Sequence, residues 1–374
     1  MMHDSLDLKA LRGEIAARKK PAPADRTTAA GWLRTIPFII VGLAVGFLLP
    51  TGKLGRGYDA YLNLAAVVVA GSLVWALFKA LRDQRRNAPR IEQYAPLFVR
   101  RANWLDALRS ASIYVAALGW MAVARFITTS SMAFIGVFLA PAVLIILFAS
   151  VIGWARNAGL GAVSTLDRLV PYHEVKNLKG MMLLRAGQFN EAEAVFRQIL
   201  EKGHPNTKYI GAWLNNMGYA LTLAKRYSEA LPILEAAIHI APDVGNSYDS
   251  LATWYLEQKL DPKRALELTQ LALENTPNEQ TASRSIQDAT RARALALTGE
   301  KAQAETLINT ALMQLDSLSD MYTGEIHRQI GFARLALGET ETARHHFSRA
   351  IELDPDGLFG KLAQQALRTE MMSA

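Results

Sequence analysis

The chain contains no cysteine, and this absence excludes several kinds of chemistry. Disulfide bonds, thiolate zinc sites and thiol nucleophiles all need a cysteine side chain. The histidines are scattered, and the adjacent pair His345 and His346 points to different faces of a helix, so no metal site is expected. We also find no Ser-His-Asp set and no paired carboxylates at a catalytic spacing. The sequence therefore predicts neither an enzyme nor a bound cofactor.

Charge is scarce in four long apolar runs in the first half of the chain, where Arg125 is the one charge that is not at the limit of a run. These runs lie near 34–51, 60–79, 110–127 and 132–154. Because roughly 20 apolar helical residues cross a bilayer core about 30 Å thick, the runs predict four transmembrane helices. A very apolar buried helical core is the alternative. No acidic residue and no histidine lies inside a run, which favours an anchor over a transport path.

Acidic residues are also scarce in the first half. Residues 1–172 hold 20 Lys and Arg against 9 Asp and Glu, whereas residues 173–374 hold 21 against 25. Most basic residues that flank the runs lie in the N-terminal tail and in the loop 79–109, which predicts cytoplasmic N- and C-termini in a bacterial inner membrane. The basic loop either contacts anionic lipid or is solvated. We find no nucleic-acid-binding module, so no nucleic-acid partner is expected.

Small residues recur at a fixed spacing in the second half of the chain. In residues 211–244, Gly218, Ala230 and Ala237 stand where two antiparallel helices would touch, and Pro242 ends the second helix. The same frame fits four more times, weakly in the fourth unit. The other units are 173–206, 245–279, 285–318 and 324–357. One hairpin buries little surface, so stacked hairpins that share a core are predicted.

This pattern resembles the tetratricopeptide repeat, which has a small residue at position 8, alanines at 20 and 27, and proline near 32. The resemblance covers residues 173–371, including a final helix that would cap the array. It implies an α-solenoid whose first helices line a concave groove, and this groove binds peptides or another protein in the family. Positions 5 and 9 commonly face that groove.

Positions 5 and 9 give the candidate partner-binding residues of this chain. They are Asn177, Met181, Asn215, Tyr219, Asp249, Thr253, Arg293, Arg328 and Phe332. Asparagine amides can pair with an extended peptide backbone because they both donate and accept hydrogen bonds. Met181, Tyr219 and Phe332 would be apolar anchors, and the two arginines would meet a carboxylate. The Lys and Asn set with which some relatives bind an acidic C-terminal tail is not reproduced in the first three units.

These patterns together predict an all-α protein of four parts. The parts are a cytoplasmic tail with a short amphipathic helix at 1–31, a four-span membrane domain at 32–156, a linker at 157–172 and a repeat domain of about five repeats with a capping helix at 173–371. Within the linker, GLGAVS imitates a dinucleotide-binding loop, but it follows an apolar run rather than a strand, so we interpret it as flexible.

The expected function is a membrane-anchored scaffold that recruits a protein or peptide through its groove. The spans would also allow lateral contact with another membrane protein. Three alternatives stay open from the sequence. The spans could form part of a transport or envelope-assembly complex, the chain could be a membrane enzyme, or the repeats could lie outside the cytoplasm.

Overall fold

A computed structural model describes residues 6–19, part of 74–96, 147, 149–169, and 173–370 except 205. The helices are α1 (Leu8–Lys19), α2 (Leu160–Leu169), α3 (His173–Arg185), α4 (Phe189–Lys202), α5 (Thr207–Leu223), α6 (Tyr227–Ile240), α7 (Gly245–Glu257), α8 (Pro262–Glu274), α9 (Thr281–Thr298), α10 (Lys301–Met313), α11 (Asp320–Ala336), α12 (Thr340–Leu353) and α13 (Leu358–Glu370). Residues 87–94 and 149–158 are also helical. These ranges contain no β-strand, which agrees with the all-α part of the predicted fold.

The prediction of four transmembrane helices must be corrected. In the described residues, no helix combines the length and the apolar content that crossing a bilayer demands. The runs at 34–51 and 110–127 lie outside the described residues, as do most of 60–79 and 132–154. The localisation inferred from the basic residues stays a prediction.

Five antiparallel hairpins form a helical solenoid, as the repeat pattern predicts. They pair α3 with α4, α5 with α6, α7 with α8, α9 with α10, and α11 with α12. The two helices of a hairpin pack tightly between positions 8 and 24. A Cβ atom added to Gly218 would lie 2.7 Å from the Leu234 side chain, and one added to Gly331 would lie 2.6 Å from the Phe347 ring. Glycine at position 8 therefore makes room for the large side chain at position 24.

Each hairpin turns at position 15, where the backbone takes the left-handed conformation. The five residues are Gly187, Lys225, Lys259, Gly299 and Gly338, with φ between 53° and 86°. In every unit the N–H of position 16 donates to the carbonyl of position 11, at 2.9 to 3.0 Å. This is the Schellman bond that ends a helix, and it occurs in the same place even in the degenerate fourth unit.

The fourth and fifth hairpins pack together differently from the others. Of the two helices of the fourth hairpin, α11 packs mainly on α9 and hardly touches α10, whereas α5, α7 and α9 each pack substantially on the second helix of the preceding hairpin. Ala289 and Ala292 of α9 share one core with Ile326 and Ile330 of α11. Because alanine side chains are short, the two first helices can pack directly on each other.

Two segments from the first part of the chain pack on the second helices of the repeats. Leu8, Leu11 and Ile15 of α1 are buried in the same core as hairpins one to three. Tyr94 stacks on His239 of α6, with ring centroids 4.0 Å apart. Arg264 of α8 donates a hydrogen bond to the carbonyl of Leu6. The amphipathic face of α1 is thus buried against protein.

The segment interpreted as a flexible linker contains the helix α2. Val163 and Leu166 of α2 are buried together with Val175 of α3. The ammonium groups of Lys176 and Lys179 form salt bridges with the Asp167 carboxylate, with N···O distances of 3.1 and 3.2 Å. A helix forms here because its apolar side can be buried against the first hairpin.

Candidate functional site

The nine predicted groove residues all lie on first helices of hairpins, but they differ in exposure. Four of them are buried, namely Asn215, Thr253, Arg293 and Arg328. The other five are half-buried, namely Asn177, Met181, Tyr219, Asp249 and Phe332. The inner side of the solenoid is therefore not open along its whole length. Eight of the nine residues divide into three groups, and Thr253 is buried on α7 outside them.

The first group is an asparagine row that joins α3 to α5. Asn216 donates from Nδ2 to Oδ1 of Asn177 at 3.3 Å, and Asn215 donates from Nδ2 to Oδ1 of Asn216 at 3.4 Å. Oδ1 of Asn215 is buried and accepts no hydrogen bond. Met181 lies one helical turn after Asn177 and is half-buried. Asn177, Met181 and Asn216 are the partly accessible end of the inner side.

The second group is an arginine cluster deep inside the solenoid. Arg293 donates to Oε1 of Glu257 at 2.8 Å and to Oε1 of Gln329 at 3.1 Å. Arg328, which is 1% exposed, donates to the same Glu257 oxygen at 3.1 Å. The Arg293 guanidinium also lies over the Phe332 ring, 4.2 Å from its centroid. Three hairpins therefore meet at one carboxylate.

The charges of this cluster depend on one another. Burial alone would raise the pKa of Glu257, but the charges of Arg328 and Arg293, with their hydrogen bonds, hold that pKa at about 2. Glu257 is therefore ionised at neutral pH and balances part of the buried positive charge. The two arginines already have an internal carboxylate, and their predicted contact with a partner stays a prediction.

The third group is a seam that joins the fifth hairpin to the first and second hairpins. The Tyr219 hydroxyl of α5 donates to the carboxylate of Glu325 on α11. Arg185 of α3 lies 5.9 Å from the ring centroid of Tyr322 on α11. Burial and the nearby charge of Glu325 raise the pKa of Asp249 to about 7, although a hydrogen bond with Thr290 opposes the shift. The seam thus joins first helices that are distant in sequence.

Sequence reasoning missed Glu257, Glu325 and Gln329, which complete the second and third groups. Glu257 is position 13 of its unit and Glu325 is position 2. In a helix, positions 2, 5, 9 and 13 share one face because residues three or four apart are neighbours. Extending the groove set by one turn in each direction would have found both acids. Nothing in the repeat frame could show that they meet residues of other hairpins.

No cluster of three or more histidine, aspartate or glutamate side chains in the described ranges is arranged to hold a metal ion. His346 instead contacts His327, with their Nδ1 atoms 2.9 Å apart in the interior of the fifth hairpin. This pair lies between α11 and α12 and stabilises a hairpin rather than lining the groove.

Comparison with known proteins places residues 211–241, which include α6 and most of α5, in the family described as tetratricopeptide repeat. A solved structure, reported as the crystal structure of YrrB, a TPR protein with an unusual peptide-binding site, is 18% identical in sequence, with a TM-score of 0.30. The match covers 55% of this chain and 98% of that one. Most of the second hairpin thus matches the tetratricopeptide repeat, a module that suggests a protein–protein interaction scaffold.

Proposed function

We propose that the chain is a protein–protein interaction scaffold that takes an extended segment of a partner into the inner side of its hairpins. The observation that carries this proposal is the asparagine row, in which three amide side chains lie side by side on two consecutive first helices. The partner segment would enter at Asn177, Met181 and Asn216, where the inner side is partly accessible.

The chemistry of the row suits a peptide backbone. Each asparagine carries an oxygen that accepts and an amide nitrogen that donates two hydrogen bonds. The bonds within the row are long, at 3.3 and 3.4 Å, and Asn215 Oδ1 has no partner. An extended segment offers N–H and C=O groups in alternation, so it can replace these weak bonds with better ones. Met181 adds an apolar contact beside them.

The arginine cluster gives less information about the partner. Glu257 already binds Arg293 and Arg328, so the buried positive charge does not by itself require an acidic partner. We therefore assign the first recognition step to amides and Met181 rather than to charge.

A photo-crosslinking amino acid placed at Met181 tests the proposal in cells. The matched control places the same amino acid at Asn309, which is exposed on α10, a second helix. We expect a discrete crosslinked partner from position 181 only, identified by mass spectrometry. Replacing Asn177 and Asn216 together by alanine should lower its yield roughly thirtyfold, because two hydrogen bonds contribute roughly 1 kcal/mol each.

Folding of each variant is checked by its thermal unfolding profile. The proposal fails if positions 181 and 309 give the same products, or if the asparagine variant, folded normally, crosslinks as well as the original chain.

A further inference from the structure

The fifth hairpin and α13 reach across the inner side to the first two hairpins. Tyr219 and Glu325, which form a hydrogen bond, are 106 residues apart in the chain. Arg185 and Tyr322 add a cation–π contact between the first and fifth hairpins. Leu358 of α13 is buried in the same core as hairpins one to three. In an open solenoid each repeat contacts only its neighbours, so these contacts show a closed arrangement.

The closure follows from how the fourth unit is built. The direct packing of α9 on α11 through Ala289 and Ala292 brings α11 close to the inner side. Glu325 and Arg328 then reach residues of the second and third hairpins. The degenerate fourth unit is therefore the point at which the solenoid turns back toward its beginning.

The closed interior leaves several polar atoms without a hydrogen-bond partner. The donors are Nε and Nη2 of Arg328 and Nε2 of Gln329, and the acceptors are Oδ1 of Asn215 and Oδ1 of Asp249. Arg328 and Gln329 are essentially fully buried. Buried unpaired groups destabilise the closed form, and a peptide backbone can pair with both kinds. Closure is thus held by few contacts and opposed by unpaired groups.

We propose that the fifth hairpin and α13 are an autoinhibitory cover over the inner groove, held shut by the contact between Tyr219 and Glu325. A partner segment that enters at the asparagine row would displace this contact and pair with the donors and acceptors behind it. This inference rests on the proposed function, because a cover has a role only over a binding groove.

Distance measurements between two spin labels test the cover without any partner. Because the chain has no cysteine, Glu191→Cys and Gln365→Cys are labelled specifically. Both residues are exposed and line the cleft between the first two hairpin turns and α13. In the original chain we expect one short distance between the two labels. In Tyr219→Phe we expect a second population of molecules with a longer distance, at least tenfold more populated than in the original chain.

Two further variants sharpen the result. Tyr209→Phe changes an exposed tyrosine outside the seam and should leave the distance unchanged. Glu325→Gln keeps an acceptor for Tyr219 and removes a buried charge, so it should stay closed. An unchanged distance distribution in folded Tyr219→Phe would overturn the inference.

Crosslinking at Met181 separates the cover from the proposed function. If the cover blocks the groove, Tyr219→Phe should raise the crosslinking yield at least threefold. An open seam with an unchanged yield rejects the cover but leaves the proposed function standing. If neither protein gives a crosslink at Met181, the proposed function is rejected. The cover is then rejected as well, even if the spin labels move apart.

Discussion

At the residue scale, the contact between positions 8 and 24 sets the distance between the two helices of a hairpin. Gly331 faces the ring of Phe347, which is fully buried, and an added Cβ would lie 2.6 Å from that ring. An aromatic ring between packed helices has little room to move. The sequence could predict this contact, because both residue types appear at the expected spacing.

Replacing Gly331 by valine should therefore destabilise the fifth hairpin. We expect a loss of about 2 kcal/mol in the free energy of unfolding, measured by urea denaturation, because overpacking exceeds the gain in helix propensity. Gly13→Val in α1 is the matched control, since no atom lies within 4 Å of an added Cβ there. A loss of the same size in both variants would show that the tight contact is not the cause.

The buried carboxylate of Glu257 is the second residue-scale test. Glu257→Gln leaves the guanidinium groups of Arg293 and Arg328 without their shared counter-charge, so we expect a loss of about 3 to 5 kcal/mol in unfolding free energy. Glu341→Gln removes an exposed partner of Arg344 and should cost less than about 1 kcal/mol. If Glu257→Gln and Glu341→Gln had equal unfolding free energies in urea, the inferred pairing of Glu257 with the two buried arginines would be contradicted.

At the element scale, the fifth hairpin carries a buried pair of histidines between α11 and α12. Burial lowers the pKa of His327 to about 4, with contributions from the charges of Arg349 and His345. Burial and the charges of His327, His345 and Arg334 lower the pKa of His346 to about 4 as well. Both rings are therefore neutral in the folded chain at neutral pH.

This pair should make the hairpin acid-sensitive. The unfolded histidines take up protons below about pH 6.5, whereas the folded ones do so only near pH 4. The contribution of the neutral pair to the free energy of unfolding is therefore fully present above pH 6.5 and is lost as the pH falls toward 4. At pH 5 the loss is roughly 1 to 2 kcal/mol per histidine.

Urea denaturation between pH 4 and 7 measures the effect. Replacing His327 and His346 together by leucine should flatten the pH dependence relative to the original chain far more than His345→Asn does, because burial is the main cause of the lowered pKa values. The comparison between variants is needed because burial raises the pKa values of Asp249 and Asp288 to about 7 and 6. Protonation of these two carboxylates stabilises the folded chain over the same fall in pH and opposes the effect of the histidines. If the slope of unfolding free energy against pH is unchanged in the leucine variant, the inference that both rings are neutral is contradicted.

Hairpins and turns could be predicted from the sequence because their causes are local. Position 15 turns the chain in all five units, and the small residue at position 8 marks where the helices touch. The long-range contacts could not be predicted in this way. Glu257, Glu325 and the histidine pair depend on which hairpin packs on which, and this is decided by the alanines of α9 in the unit that fits the repeat least well.

At the scale of the whole molecule, α1 and residues 87–95 are joined to the repeats although they lie far away in sequence. Ile15 is buried in the repeat core, so Ile15→Glu should release α1. We expect faster amide hydrogen exchange throughout α1 and a loss of about 2 to 3 kcal/mol. Arg12→Glu changes an exposed side chain of the same helix and should leave the exchange slow. Fast exchange in the original chain would contradict the docking of α1.

The same scale shows where sequence reasoning failed. Apolar runs were interpreted through the length that a bilayer requires, yet the described helices include none that could cross one. The sequence of α1 cannot show why the helix is amphipathic, because its apolar face is buried in the core of hairpins one to three rather than against a neighbour in sequence. Periodicity predicts that a face is buried, but it does not identify what covers that face.

The closed solenoid is the central claim, and a double-mutant cycle between Tyr219 and Glu325 tests it most directly. Tyr219→Phe, Glu325→Leu and the double variant are compared with the original chain by urea denaturation. If the second and fifth hairpins meet, we expect a coupling free energy of about 0.5 to 3 kcal/mol. In an open solenoid these residues lie in repeats that do not touch, so a coupling near zero would contradict the account.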